Sequence, residues 1–291
     1  MLSPTRIGPV LLVGLALATQ FAGGSSAARE GQPAARERDS NPCLDRERAK
    51  RLLCPDLKMS PPAEMFVSRT SRGRARLHAA NSINSVGRGP AELRGRRASK
   101  YTMDARQVVY RTNGKRKWLD TRARLLFKAI PGQYRYWKFL HAAKFELWRL
   151  NDRGVRTKRV RVGPKVSYCL RDLERRNGHL RRSPKKFHYP ACNQDLGKQR
   201  VTLGTSVGWS DVYPATYHEQ FLYVTGLRGC FAYVHIADPR NGIYESNERN
   251  NEGERIVRLP WKGASLRGCP NRSREKPPKT GPDGGAEAPR R

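Results

Sequence analysis

Apolar side chains in this chain recur mainly at every second position, in short runs closed by Gly, Pro, Asn or Asp. Alternation of this kind sends successive side chains to opposite faces of an extended strand, so it predicts half-buried β-structure. "RARLHAANSINSVG" alternates and leads into the turn cluster "GRGPAELRG", while "RQVVYRTNGKRKWLD" places "TNG" between two β-rich runs, which signals a hairpin. "RVRVGPKVSYCL", "QRVTLGTSVGW", "EQFLYVTGL", "CFAYVHIAD" and "ERIVRLPW" follow, each strand-like and each bounded by turn formers. Many short strands with hardly any helical period predict an all-β protein, a β-sandwich with long loops. Two stretches depart from the pattern. "FLHAAKFELWRL" reads as strand with imperfect alternation, and "LDRERAKRLLCPDL" predicts a short N-terminal helix turning Leu44, Leu52 and Leu53 inward.

The ends carry a different composition. Residues 1–28 hold Arg6, an apolar stretch and the small-residue exit "SSAA", the order of a cleaved signal peptide. The apolar stretch is too short and glycine-rich for a transmembrane helix, and no second one of membrane length follows, so a secreted or extracytoplasmic protein is expected. Residues 29–42 form a polar leader and residues 270–291 a basic, proline-rich tail; neither has the apolar area to offset ordering entropy, so both are expected to be disordered. The body, 43–269, fits one domain more simply than two.

Six cysteines, Cys43, Cys54, Cys169, Cys192, Cys230 and Cys269, form an even set, which in an exported chain favours disulfides over metal ligation. There is no CxxC pair to suggest zinc. Cys43 with Cys54 would close a small loop at the entrance of the domain; the sequence alone leaves the connectivity open.

Charge changes the picture further. With 58 Lys+Arg against 25 Asp+Glu the formal net charge is +33, spread over segments such as "RTSRGRAR", "RTKRVRVG" and "ERRNGHLRRSPKK". A field of this sign draws polyanions with salt-sensitive association. Outside a cell these are anionic extracellular polymers: cell-wall components, acidic polysaccharides, anionic lipid surfaces or released nucleic acid. The alternative is an arginine-rich composition with solvated surfaces and no dedicated partner.

"GQYRYWKFLHAAKFELWRL" raises a sharper question, because Tyr134, Tyr136 and Lys138 at a spacing of two would share one face of a strand. Three ligands at that spacing commonly hold a metal, yet none of these is a histidine. "GPKVSYCLRD", "GTSVGWSDVYPATYHEQFLYVTGL" and "HIADPRNGIYESNERNN", in that order, resemble the catalytic domain of lysyl oxidases, particularly compact secreted versions, over roughly residues 50–262. The resemblance implies a lysyl-oxidase-like β-sandwich and a copper-dependent amine oxidase that converts protein lysines to aldehydes. It also implies a lysyl tyrosylquinone cofactor, an electron sink that ordinary side chains do not supply. Lys165 in "GPKVSYC" and Tyr213 in "SDVYPAT" match the family's cofactor lysine and tyrosine. Without the resemblance, Lys165 would read as a solvated edge residue and Tyr213 as packing.

The same resemblance, aligned through Trp137 and "FELWRL", puts the family's His-x-His-x-His copper ligands on Tyr134, Tyr136 and Lys138. An ammonium has no lone pair, and a phenol must first lose a proton with a pKa of about 10. A charged lysine beside aromatic rings can instead stand in for metal charge, through a cation–π contact of roughly 0.5–2 kcal/mol. His141 and His218 are the candidates for a rebuilt copper site. Two functions follow: a copper-less relative that binds anionic extracellular polymers, with Trp118, Trp137 and Trp209 as stacking candidates, or an active amine oxidase. A third and weaker reading takes Asp238, Asn241, Glu245 and Glu248 as calcium ligands, against an ordinary turn network.

Overall fold

A computed structural model describes residues 39–132, 134–165 and 167–271. The expected signal peptide, most of the 29–42 leader and the tail beyond Asn271 lie outside these residues. In chain order come α1 (Arg46–Lys50), β1 (Leu52–Leu53), β2 (Leu57–Met59), β3 (Ala63–Arg69), β4 (Ala75–Ser85) and β5 (Ala91–Arg97). Then follow β6 (Thr102–Arg111), β7 (Arg116–Leu119), β8 (Arg124–Ala129), β9 (Arg135–Leu140), β10 (Ala143–Leu150) and β11 (Arg156–Val162). β12 (Ser167–Tyr168), β13 (Arg200–Thr205), β14 (Ser210–Tyr213), β15 (Phe221–Tyr223), β16 (Gly229–Ala237) and β17 (Glu252–Leu259) complete the order.

The protein is all-β, built of antiparallel sheets. One sheet runs β12-β9-β8-β6-β5-β13, with β1 and β7 also on β6; a second runs β11-β10-β16-β17. The third is organised on the long strand β4, which pairs β14 and β2 along its C-terminal half and β15 and β3 along its N-terminal half. All three sheets contribute to one core, which joins Leu93, Leu125 and Trp137 to Phe145, Phe231 and Val257 and to Leu77, Ile83 and Leu222.

Strand composition follows position. β16 lies between β10 and β17, and its run from Phe231 to Ala237 is buried on both faces, which suits its near-continuous apolar sequence. β11 is an edge, and its exposed Lys158 and Arg161 discourage pairing with another chain. The "TNG" signal does form the β6–β7 hairpin, with Gly114 at φ +80°. "FELWRL" is strand, entered through a corner at His141 with φ +62°.

The helix is shorter than expected. α1 spans five residues, capped by the Asp45 carboxylate on the Glu47 and Arg48 amides, and buries none of its side chains. Leu44 is 58% exposed, and Leu52 and Leu53 belong instead to β1, paired with Arg111 and Tyr110. Disulfide Cys43–Cys54 closes this loop, so the chain must turn back to β6 before a second helical turn can form. Cys169–Cys192 and Cys230–Cys269 are the other bridges. Three disulfides fit folding in an oxidising compartment.

The last leader residues are docked rather than loose. The Asp39 amide donates to the Asp120 carbonyl at 2.9 Å, and Asn41 Nδ2 donates to Glu248 Oε1 at 2.8 Å. No helix among the described residues is long and apolar enough to cross a membrane.

Candidate functional site: a buried lysine–tyrosine cluster

β12 and β14 each end on a tyrosine, and the sheets turn both inward. Tyr168 is carried on β12 by pairing with Phe139 of β9, and Tyr213 on β14 by pairing with Asn81 of β4. Their rings meet edge to face at 4.2 Å, and Tyr217, in the loop after β14, closes on Tyr213 at 5.1 Å. Lys165 enters from the segment ahead of β12. Its Nζ stands 4.6 Å from the Tyr213 ring centre, 4.7 Å from Tyr168 and 4.9 Å from Tyr217, and donates to the His218 carbonyl at 3.2 Å. Lys165 and Tyr213 are therefore neighbours. Lys165 is 1% exposed, which excludes the solvated-edge role that its Gly-Pro context suggested.

The surroundings hold these groups away from their ordinary titration. Burial, reinforced by the Lys138 charge, brings Lys165 down to about 7, against the opposing pull of Glu219 and Asp211. Burial, joined at Tyr213 by the Asp211 carboxylate, pushes the Tyr213 and Tyr168 phenols well above their usual range. The Tyr213 hydroxyl oxygen accepts from the Cys169 amide at 2.9 Å, and that of Tyr168 accepts from Asn81 Nδ2 and, at 3.2 Å, from Gln220 Nε2. Asp211 is buried too, and desolvation raises its carboxyl well above the ordinary value. The amine of Lys165 is thus poised between charged and neutral, and the phenols stay protonated.

Tyr134, Tyr136 and Lys138 do share one side of the β9 segment, but at very different depths. Tyr134 is 66% exposed, Tyr136 is half-buried and Lys138 is 2% exposed. Lys138 Nζ lies 5.9 Å from the rings of both Tyr136 and Tyr217. Burial and the nearby Lys128 charge lower Lys138 to about 8, with Asp211 and Glu219 opposing. Glu219 is itself bound by Lys128 Nζ at 2.5 Å. A copper ion does not fit this donor set: the innermost group is an ammonium, and the two phenols, one of them mostly in solvent, would each have to ionise.

His141 and His218 are the remaining candidates. His141 occupies the corner between β9 and β10, and His218 contributes its carbonyl to Lys165 while its Nε2 faces Glu219 Oε1 at 3.5 Å. Among the described residues, no three or more His, Cys, Asp or Glu side chains are grouped to hold a metal ion.

The calcium reading meets the same obstacle. Asp238 accepts the Gly242 and Ile243 amides, Glu245 accepts the Leu57 amide and Asn251 Nδ2, and Glu248 Oε1 accepts the Glu245 amide. These carboxylates are spent on the turn's own backbone and on fastening it to Leu57 of β2 and to Asn41. Of the tryptophans, Trp137 and Trp209 are buried and do not serve as surface stacking contacts, whereas Trp118 is exposed with Arg94 and Arg106 near its ring.

Sequence reasoning passed over Tyr168, Tyr217, Asp211 and Lys128. Tyr168 lies three residues after Lys165 and Tyr217 four after Tyr213, so both stood inside motifs already quoted. Comparison with protein-family models gives no match for this chain, and comparison with curated proteins gives none either.

Proposed function

We propose that this chain is a secreted, lysyl-oxidase-like protein that works without copper and binds anionic extracellular polymers. The observation that carries the reading is the burial of Lys138, a lysine at a position that the resemblance aligns with a copper ligand. A fixed side-chain cation there supplies positive charge without a metal, though not a metal's redox chemistry, and it repels a divalent ion whenever it is protonated. The three disulfides, all formed, and the signal-like first 28 residues support export. The net charge of +33 supports the choice of partner.

The mature protein is expected to be retained on immobilised acidic polysaccharide or wall polymer at low ionic strength. Retention should fall steeply between roughly 50 and 500 mM salt, where the Debye length drops to a few ångströms. Retention that ignores salt would contradict the electrostatic reading.

A second reading, an active amine oxidase acting on protein lysines, is favoured by one observation: Lys165 Nζ stands 4.6 Å from the Tyr213 ring centre. That proximity supports the reading, because a lysine–tyrosine cross-link needs the amine beside the ring. Oxidation of the tyrosine is the step for which the residues around Lys138 supply no copper ligands.

A further inference from the structure

On the outer face of the β3-β4-β15 sheet, aromatic and arginine side chains interleave. Cross-strand pairing puts Phe66 of β3, His78 of β4 and Phe221 of β15 in one row, with Arg76 opposite Tyr223 in the next. The Arg74 guanidinium lies 3.6 Å above the Tyr223 ring centre. Arg76 lies 4.6 Å from the Phe221 centre and sends Nη2 to the Tyr223 hydroxyl at 3.4 Å. From the neighbouring edge strand β11, Arg161 Nε donates to the Tyr223 carbonyl at 3.1 Å. Two guanidiniums therefore lie at the Tyr223 side chain and a third on its backbone carbonyl, and none of the three is ion-paired to a carboxylate among the described residues.

We infer that Arg74, Arg76 and Arg161, held around Tyr223, form a docking site for the sulfate or carboxylate groups of an acidic polysaccharide. The inference rests on the polyanion reading above and gives it a location. Stacking leaves the N–H edge of Arg74 free, Arg76 commits only Nη2 to the Tyr223 hydroxyl, and Arg161, fixed by Nε and Nη1 on the Tyr223 and Val160 carbonyls, keeps Nη2 to offer; the guanidinium fork matches a two-oxygen anion, and holding the arginines in advance reduces the ordering cost of binding. The same geometry disfavours single-stranded nucleic acid, which needs open ring faces for its bases. Here Tyr223 and Phe221 are engaged by guanidinium, and Phe66 is stacked on His78 at 4.5 Å with the planes 2° apart.

The test uses heparin as the probe at about 150 mM salt, with oligo-dT as comparator. R74Q/R76Q/R161Q is set against R111Q/K115Q/R116Q, which removes equal charge from exposed positions around the β6–β7 turn. The first triple should lose about tenfold or more in heparin affinity and flatten the salt dependence by about two to three ions, and the control less than threefold. Thermal melting checks that both fold. If the glutamine triple does not, R74K/R76K/R161K keeps the charge, and it should still lose several-fold because an ammonium lacks the fork. Failure of the unmodified protein to bind heparin would overturn the polyanion reading itself. Equal losses from the two triples would overturn the site alone and leave the polyanion reading standing. Equally tight oligo-dT binding through the same three arginines would replace the polysaccharide with nucleic acid and overturn the assignment.

Discussion

Tyr213 and Tyr223 each carry a cation against the ring, in opposite surroundings. Tyr213 is buried, and Lys165 Nζ stands 4.6 Å from its ring centre with an amine lowered to about 7. Tyr223 is half-buried, and the exposed Arg74 lies 3.6 Å above it. In the interior, desolvation taxes the charged form of a lysine, so the pair becomes an amine near neutrality beside a protonated phenol. At the surface a guanidinium keeps its charge, and stacking only fixes its direction. One arrangement holds latent chemistry out of water; the other presents charge to it.

The comparison breaks most readily at the ring. Y213A should cost about 3–5 kcal/mol in chemical denaturation, because a buried aromatic leaves a cavity that its neighbours fill only in part. Y223A should cost no more than about 1 kcal/mol, since water replaces the lost contact. Equal costs would erase the distinction between the two sites.

The next effect is the pH dependence of Lys138. Its folded pKa, about 8, lies below the unfolded value, so from there up to about 10.5 the unfolded chain binds more protons and stability rises with pH. The penalty of the buried charge is fully present below about 8 and is gone above about 10.5. K138M should therefore be more stable than the unmodified protein at pH 6, by roughly 3 kcal/mol at most, and the gap should close towards pH 10.5. A gap constant with pH, read from paired denaturation curves, would mean that Lys138 is not desolvated in the folded protein. The smallest effect is at the surface: R76Q should shift stability by about 0.5 kcal/mol or less while weakening polyanion binding.

Much of the architecture was legible in the chain. Alternation and turn residues located the main strands, and the even cysteine count with the short Cys43–Cys54 spacing anticipated that bridge. The helix was overextended because an apolar pattern at Leu44, Leu52 and Leu53 does not reveal that β6 claims the last two. Alternation gives the face of a side chain and not its depth, so Tyr134, Tyr136 and Lys138 read as equals although one lies in solvent and another in the core. Lys165 and Tyr213 came through the motifs around them. Tyr168, Tyr217 and Asp211 join them only because β12 pairs β9 and β14 pairs β4, a convergence that periodicity does not encode. The arginine trio was hidden in the same way, since Arg76 and Arg161 belong to different sheets that meet at β15.

The central proposal is that this protein, with the buried Lys138 in place of a copper ligand, works without copper. The direct measurement is bound copper per chain, with a quinone redox-cycling stain, on mature protein produced with copper supplied and shown to be folded by its cooperative melt. The account predicts copper far below one ion per chain and no quinone; near-stoichiometric copper together with quinone would contradict it.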